Sequence, residues 1–492
     1  MKRLSKSKLL SFHQCSKRLW LDVHRRELIQ HSSEAKSAMS RGQRVGELAQ
    51  AVFDSENKGV LIDPFTEGWP EALIKTEELI AGGEYPVFEG TFTDDDILVM
   101  ADIMIPADNG SWDIIEVKSS TSVKAHHLLD LAIQIHVLEA RGVKVNRCFV
   151  ASINNRWVYQ GNGDYSGLFR LNKIDFEAGQ TVDNIDSIIS LAREIVMGDE
   201  PKIETGEHCT DPFECPFLTY CNKGKEIGPF PVQWLPDVRT KALKDYIESN
   251  QVKSMNVVPD NLLNNLQLRV KQYTQIDKAY TNYLGAKKKF NRLTWPLRFL
   301  DFETVNLAIP IWKGVRPYER IPFQYSNHCL SENGTLKHTH YLDVSSDDPR
   351  KGFINKLILT CGTQGSILVY NVGFEQNVLL DLAEAFPKKA QQLNAIADRL
   401  FDLLPVVRDN YYHPSQQGSW SIKRVLPAIL SQESYAELDG VQDGSMAMEA
   451  YIEAINENTS RERKAEIQRE LLDYCALDTL AMVKIWEFFD QD

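Results

Sequence analysis

Apolar residues in the first fifty positions recur near helical spacing. Leu4, Leu9, Leu10, Phe12, Leu19 and Trp20 predict helices over 1–54. Between 86 and 118 the period changes to two. PVFEGTF, a turn of three aspartates, ILVMADIMI, the turn PADNGS and WDIIEVK predict three successive strands. Helical spacing returns from Lys124 to Arg141, Gly142 ends it, and VNRCFVAS predicts a further strand. Polar helical segments such as DNLLNNLQLRVKQY follow Pro229, Pro231 and Pro236, and 223–295 reads as a helical connector. A second strand-rich stretch begins at Leu297 with LRFLDFET, FQYSNHCL and THYLDV. ILVYN then alternates with helices through 373–401, and a helical segment closes the chain. Mixed sheets flanked by helices, an α/β protein, are the expected outcome.

A length of 492 residues is too great for one core and predicts two or three domains. No apolar run reaches the ~18 residues that a membrane helix needs, so no membrane partner is expected. The basic start MKRLSKSKLLSFHQC lacks the apolar region of a secretion signal, and a cytoplasmic location is expected. The net charge of −13 argues against a general electrostatic grip on nucleic acid. Its distribution is uneven, however. Residues 1–26 hold eight Lys or Arg against the single acid Asp22, and Lys287, Lys288, Lys289 and Arg292 form a second basic run. Each run is either a solvated face or a contact surface.

Three groups of residues change this picture. In the first, Glu116 and Lys118 stand two apart on one predicted strand and so share a face, with Asp102 on the strand before. Two carboxylates suit a hard divalent cation, Mg²⁺ or Mn²⁺, and a lysine beside them can orient water or offset developing charge. In the second group, Cys209, Cys215 and Cys221 follow one another at equal spacing, with Cys15 far upstream. Four thiolates suit zinc or an iron–sulfur cluster, and the paired short-spaced knuckles usual for zinc are missing. Cys148, Cys329 and Cys361 lie in apolar runs and read as core.

The third group is acidic. LDFET puts Asp301 and Glu303 on one strand face, YNVGFEQNVL offers Asn371 and Glu375, and Tyr474 and Asp478 stand four apart on a helix. Four converging acids can hold two divalent ions about 3.5–4 Å apart for in-line phosphoryl displacement. Tyr474 would position the attacking water, and Cys475 is expected to point elsewhere, into core. Asp402 reads as a surface acid.

The segment IIEVKSSTSVKAHHLLDLAIQIHVL, with Asp102 before it, resembles the RecB-like PD-(D/E)XK nucleases, including their CRISPR-associated group. That resemblance implies a restriction-endonuclease-like fold over 1–222. It adds Gln134 to the site and an acidic or structural position at Glu89. Where the family favours a histidine this chain has Gly46, with Glu47 beside it. The cysteine set resembles the family's 4Fe–4S staple, zinc being the alternative. Residues 297–490 resemble the DEDD exonucleases of the ribonuclease H-like fold, in the subclass with Tyr-x₃-Asp. Glu375 stands where that family usually has aspartate. This implies a ribonuclease H-like domain over 296–492, with Asp301, Glu303, Glu375 and Asp478 as metal ligands. Together the resemblances imply a metal-dependent nuclease acting on nucleic acid, DNA with free ends in the first place, from the 3′ end at the second site. The rival reading is a DNA-end-binding scaffold in which one or both sites have decayed.

Overall fold

The period-two stretch between 86 and 118 forms a meander of strands Val87–Asp94, Ile97–Ala107 and Ser111–Lys118. The tight turn at Asn109 and Gly110 has φ of 58° and 65°, left-handed values that an Asn-Gly pair tolerates. The computed structural model describes residues 4–175, 185–223, 228–430 and 441–490. Lys2 and Arg3 of the N-terminal basic run lie outside these. The chain divides into two units, Met1–Lys225 with Asn306–Glu319, and Glu226–Val305 with Arg320–Asp492. Among the described residues, no helix is long and apolar enough to cross a membrane.

In the first unit, strand Ser111–Lys118 crosses through helix Ala125–Ala140 to Val145–Ile153, which pairs parallel to it. A parallel return needs such a crossover, and the helix is buried on most of its circumference between Leu129 and Leu138. Val60–Leu61 and Phe169–Ile174 complete the two edges of a mixed sheet. Leu4–Ser5 pairs parallel with Ile97–Leu98, so helix Lys6–Gln14 starts beside the strand that carries Asp102. The helices Lys6–Gln14 and Ser16–His24 are separated by Cys15, whose extended backbone (φ −165°) breaks them. The segment Asn306–Glu319 also belongs to this unit. Ala308 joins Val45, Ile153 and Leu168 in a small core, and the Tyr318 hydroxyl donates to Ser119 O.

The second unit holds a five-stranded sheet in the order Leu336–Leu342, Ile321–Leu330, Leu297–Val305, Ile367–Val369, Leu400–Asp402. Pairing is antiparallel among the first three strands and parallel among the last three. Alternation along Leu297–Val305 sorts its side chains onto two faces. Leu300 and Phe302 meet the helices Arg350–Cys361 and Gly373–Ala385. Leu297 and Phe299 meet Met482, Ile485 and Trp486 of the long helix Arg461–Asp490. Asp301 and Glu303 continue that second face. Here strand alternation and helix packing together position a site.

Residues 228–295 of the expected connector 223–295 are folded into the second unit. Val232, Leu235, Leu243 and Val270 share a core with Phe299 and Met482. Tyr280–Thr281 pairs with Tyr411–Tyr412, and Gly418 lies so close to Trp234 that a β-carbon there would come within 1.8 Å of Trp234 O. A periodic polar helix gives no sign of its partner, so its few apolar anchors read as connector. Phe299 is fully buried against the C-terminal helix. Phe299→Ala should therefore cost about 3–5 kcal/mol, seen as a lowered urea midpoint for the second unit.

Candidate active sites

In the first unit, the pairing of Ile103 with Ile115 brings Asp102 beside the strand of Glu116, and Asp102 Oδ2 accepts a bond from Val117 N at 2.7 Å. Glu116, 2 % exposed, takes three donors: Lys118 Nζ at 2.5 Å, Gln134 Nε2 at 2.5 Å, and Lys6 Nζ at 3.3 Å from each oxygen. Asp102, Glu116, Lys118 and Gln134 are thus assembled in one place. Two further residues escaped the sequence reading. Asp130 pairs with Lys118 at 2.5 Å and Lys6 at 2.9 Å. It precedes Gln134 by one helical turn, which was the available signal. Lys6 lay hidden in the basic run; Lys17 of the same run pairs with Glu200 at 2.9 Å.

Glu89 falls opposite Asp102 in the strand register, with a left-handed φ of 54°. Such a backbone costs roughly 1–3 kcal/mol for a residue with a β-carbon and tends to collect at functional sites. Burial, opposed by Lys6 and reinforced by Glu116, pushes its carboxyl up to about 7. Burial also raises Glu116 to about 7, with Asp102 and Asp130 adding repulsion against the pull of both lysines. Burial raises Asp102 as well, against the pull of Lys6 and Lys118. Asp130 goes the other way: burial opposes its charge, but Lys6 and Lys118 outweigh it and hold it below the usual range. Both lysines are raised, since attraction to these acids overcomes their own burial. Glu47 takes no part; it is exposed and accepts a bond from Gln43.

The four cysteines line one small, partly open cavity together with Lys17, Arg18, Leu21 and Phe217. Gln14, next to Cys15, donates to His208 O at 2.7 Å and Phe213 O at 2.6 Å, which ties the first helix to the cysteine loop. None of the four is disulfide-bonded. Arg18 lines the same cavity; its Nε lies 3.9 Å from Asp22 Oδ2 and its guanidinium donates to Gln14 Oε1. No three of the sulfurs lie within 4.8 Å of one another. A zinc tetrahedron with Zn–S near 2.3 Å would need them about 3.8 Å apart.

In the second unit Asp301, Glu303 and Cys475 bring one ligand atom each within 4.8 Å of one another, the one such group among the described residues. Glu375 enters from the first turn of helix Gly373–Ala385; it is 2 % exposed, and its Oε2 is buried with no hydrogen-bond partner. Tyr474 and Asp478, both buried, reach the same acids from the long helix. Burial, then repulsion from Asp478, Glu303 and Glu375, drives Asp301 well above the carboxylate range. Burial and Asp478 push Glu303 up to about 8, with Lys423 offsetting only part. Burial and Asp402 bring Glu375 to about 8 as well. The Tyr474 phenol is raised by burial and then by Asp478, Glu303 and Asp301, so it remains a neutral donor.

Two expectations need correction. Cys475 is buried but faces the site, its Sγ 3.6 Å from Asp301 Oδ2 and 3.9 Å from Asp301 O. Successive helical residues differ by about 100°, and Asp478 projects between Tyr474 and Cys475, so one broad face carries all three. Asp402 is a half-buried helix cap: its Oδ1 accepts from Leu404 N and from Asn371 N, each at 3.0 Å.

Residues 298–421 match a family model described as "Domain of unknown function (DUF2779)". This stretch contains Asp301, Glu303 and Glu375 and ends before Tyr474. The chain is similar to "Uncharacterized protein MG366 homolog" of Mycoplasma pneumoniae, at 30% identity over 215 residues, 39% of this chain and 32% of that protein. It is also similar to "Uncharacterized protein MG366" of Mycoplasma genitalium, at 27% over 220 residues, 40% of this chain and 32% of that protein. The chain therefore matches about a third of the length of these relatives. A solved structure described as "Crystal structure of SSO0001" aligns with 41% of this chain and 79% of its own, at 15% identity and a TM-score of 0.22, too loose to define a fold.

The raised carboxyls set a pH dependence. Between about 4.5 and 8, Glu303 is ionised in the unfolded chain but still protonated in the folded one. The folded state then binds more protons, so stability falls as pH rises through this window. In divalent-free buffer with chelator, stability by urea unfolding should drop by on the order of a few kcal/mol from about pH 5 to 8. Glu303→Gln should flatten that slope and be the more stable protein at the upper end; an unchanged slope would contradict the shift.

Proposed function

We propose that the chain is a metal-dependent nuclease with two hydrolytic sites, the first of RecB-like PD-(D/E)XK type and the second of DEDD exonuclease type. The observation that carries this reading is the convergence of Asp301, Glu303, Glu375 and Asp478 in the second unit. Four crowded acids, Asp301 half-buried and the other three buried, are unfavourable in their ionised form unless a cation shares them. Their donors are oxygens, which suit Mg²⁺ or Mn²⁺, and the orphaned Glu375 Oε2 is a ligand atom in want of a partner. Glutamate at 375 starts from a helix's first turn, where its extra methylene lets the carboxylate reach inward. Bound divalent ions supply charge stabilisation on the phosphoryl group and lower the pKa of water. Tyr474, held neutral, donates to and orients the attacking water.

In the first unit, Asp102 and Glu116 would hold the ion. Gln134 fixes the Glu116 carboxylate, and Asp130 holds Lys118 toward the reacting water or phosphate. A cluster of 4Fe–4S type at Cys15, Cys209, Cys215 and Cys221 fits this reading better than zinc. What favours it is the cysteine spacing, which lacks the short paired knuckles usual for zinc. Its role is structural, joining the first helices to the end of the unit.

End-labelled single and double strands, assayed with Mg²⁺ and Mn²⁺, test the proposal. Cleavage should vanish with chelator. Asp301→Ala should reduce stepwise removal from a free 3′ hydroxyl roughly a thousandfold or more, and Glu116→Ala should remove a different pattern. A 3′-blocked substrate should resist the Glu116→Ala protein. Loss of one and the same activity in both variants would replace two sites by one. Cleavage that survives exhaustive chelation would end the reading altogether.

The cluster has its own test. Anaerobically purified protein should contain iron and sulfide and absorb broadly near ~400 nm. Cys15→Ser should lose that band and weaken the first unit as a whole. Stoichiometric zinc without iron would overturn the cluster.

A further inference from the structure

Glu116 has no acceptor position to spare. An ionised carboxylate offers about four. Lys118 takes one on Oε1, Gln134 takes one on Oε2, and Lys6 spans the remaining pair at 3.3 Å from each oxygen. Any ion that binds Glu116 must displace one of these donors. Lys6 makes the longest contacts, 3.3 Å against 2.5 Å for the other two. It also has a second anchor, Asp130 at 2.9 Å, to which it can retreat on a flexible four-carbon stem. Its placement is built into the fold. Leu4–Ser5 joins the sheet beside Ile97–Leu98, and the Ser5 hydroxyl caps the helix that begins at Lys6. The ammonium is thereby delivered to the acids by the first strand and helix.

We propose that Lys6 is the resident counter-cation of the first site, competing with a divalent ion for Glu116 and so setting the ion concentration at which the site loads. This rests on the reading of Glu116 as a metal ligand. While the ion is absent, Lys6 keeps the acids folded together. When an ion arrives, Lys6 gives up Glu116, retains Asp130 and stays beside the loaded site. The site is thus stable when empty, at the cost of weaker metal binding.

The test uses the full chain with the second site disabled by Asp301→Ala and Asp478→Ala. Mn²⁺ binding is followed by the resonance of the free ion, and the first site is defined as the binding that Glu116→Gln removes. Lys6→Met should bind Mn²⁺ about tenfold or more tightly, because a positive charge within ~4 Å of the ion is gone. Lys6→Gln, which keeps a donor for Asp130 but no charge, should tighten binding likewise, whereas Lys6→Arg should stay near the parent. Lys6→Met should also melt lower in chelator and gain more from added Mn²⁺ than the parent does. Equal or weaker Mn²⁺ binding by folded Lys6→Met and Lys6→Gln overturns the role of Lys6 alone. The same holds if Lys6→Arg tightens binding as much as Lys6→Met. Absence of any Glu116-dependent Mn²⁺ binding, in parent and variants alike, overturns the metal reading of the site and this proposal with it.

Discussion

Carboxylates forced together away from water repel one another, and both units are organised around that repulsion. Burial disfavours each charge singly, and a like charge a few ångströms away disfavours it again. Strand alternation makes the crowding unavoidable. Asp301 and Glu303 share the face that Leu297 and Phe299 bury, and Glu116 lies on a strand covered by a helix. A sequence free to vary would place leucine at such positions. Acids kept there need a cation or a proton, and the two units meet the need in different proportions.

In the first unit the chain brings its own cations. Lys6 and Lys118 hold Glu116 and Asp130 in a closed network, and Asp130 is pulled below its usual range as a result. In the second unit the acids chiefly meet each other. Lys423 relieves Glu303 in part, yet Glu303 and Glu375 both stay near 8. The hydrophobic layers on either side of the sheet supply the energy that keeps such a group together: Phe302 and Phe353 on one face, Phe299 and Trp486 on the other.

What the sequence disclosed was whatever sits at fixed spacing on one element. Glu116 with Lys118, Asp301 with Glu303, and Tyr474 with Asp478 were legible because strand and helix periods place them on one face. The longer strands of the two larger sheets were legible for the same reason, whereas the strands Leu4–Ser5, Val60–Leu61, Phe169–Ile174 and Leu400–Asp402 were not; the α/β class followed from the alternation of strands with helices. Residues brought in from a distance were not legible. Nothing in the run of basic residues distinguishes Lys6, which faces acids more than a hundred positions away. Glu89 owes its direction to a left-handed backbone that no local residue announces. Cys475 was misplaced because one-face reasoning took too narrow an arc of the helix. The segment 223–295 looked independent because its apolar anchors find their partners in Phe299 and Met482, far along the chain.

With Glu89, Asp102, Glu116 and Asp130 ionised, and Lys6 and Lys118 protonated, the first site has four negative charges against two positive ones. Under the nuclease reading one divalent ion neutralises it. The second site has four acids, with Lys423 touching their balance only at Glu303, and one divalent ion leaves it anionic. A second ion is then favoured by the protein's own electrostatics, before any substrate phosphate arrives. The first site can stay folded while empty, since lysines already hold its acids. The second can do so only by keeping protons on its acids, as the raised carboxyls of Asp301, Glu303 and Glu375 indicate. Loading the second site therefore releases protons; loading the first releases protons from Glu89 and Glu116 as well and also moves an ammonium aside. One chain thus holds two carboxylate sites in which the burial cost is met by two lysines together with protonation in one and chiefly by protonation in the other.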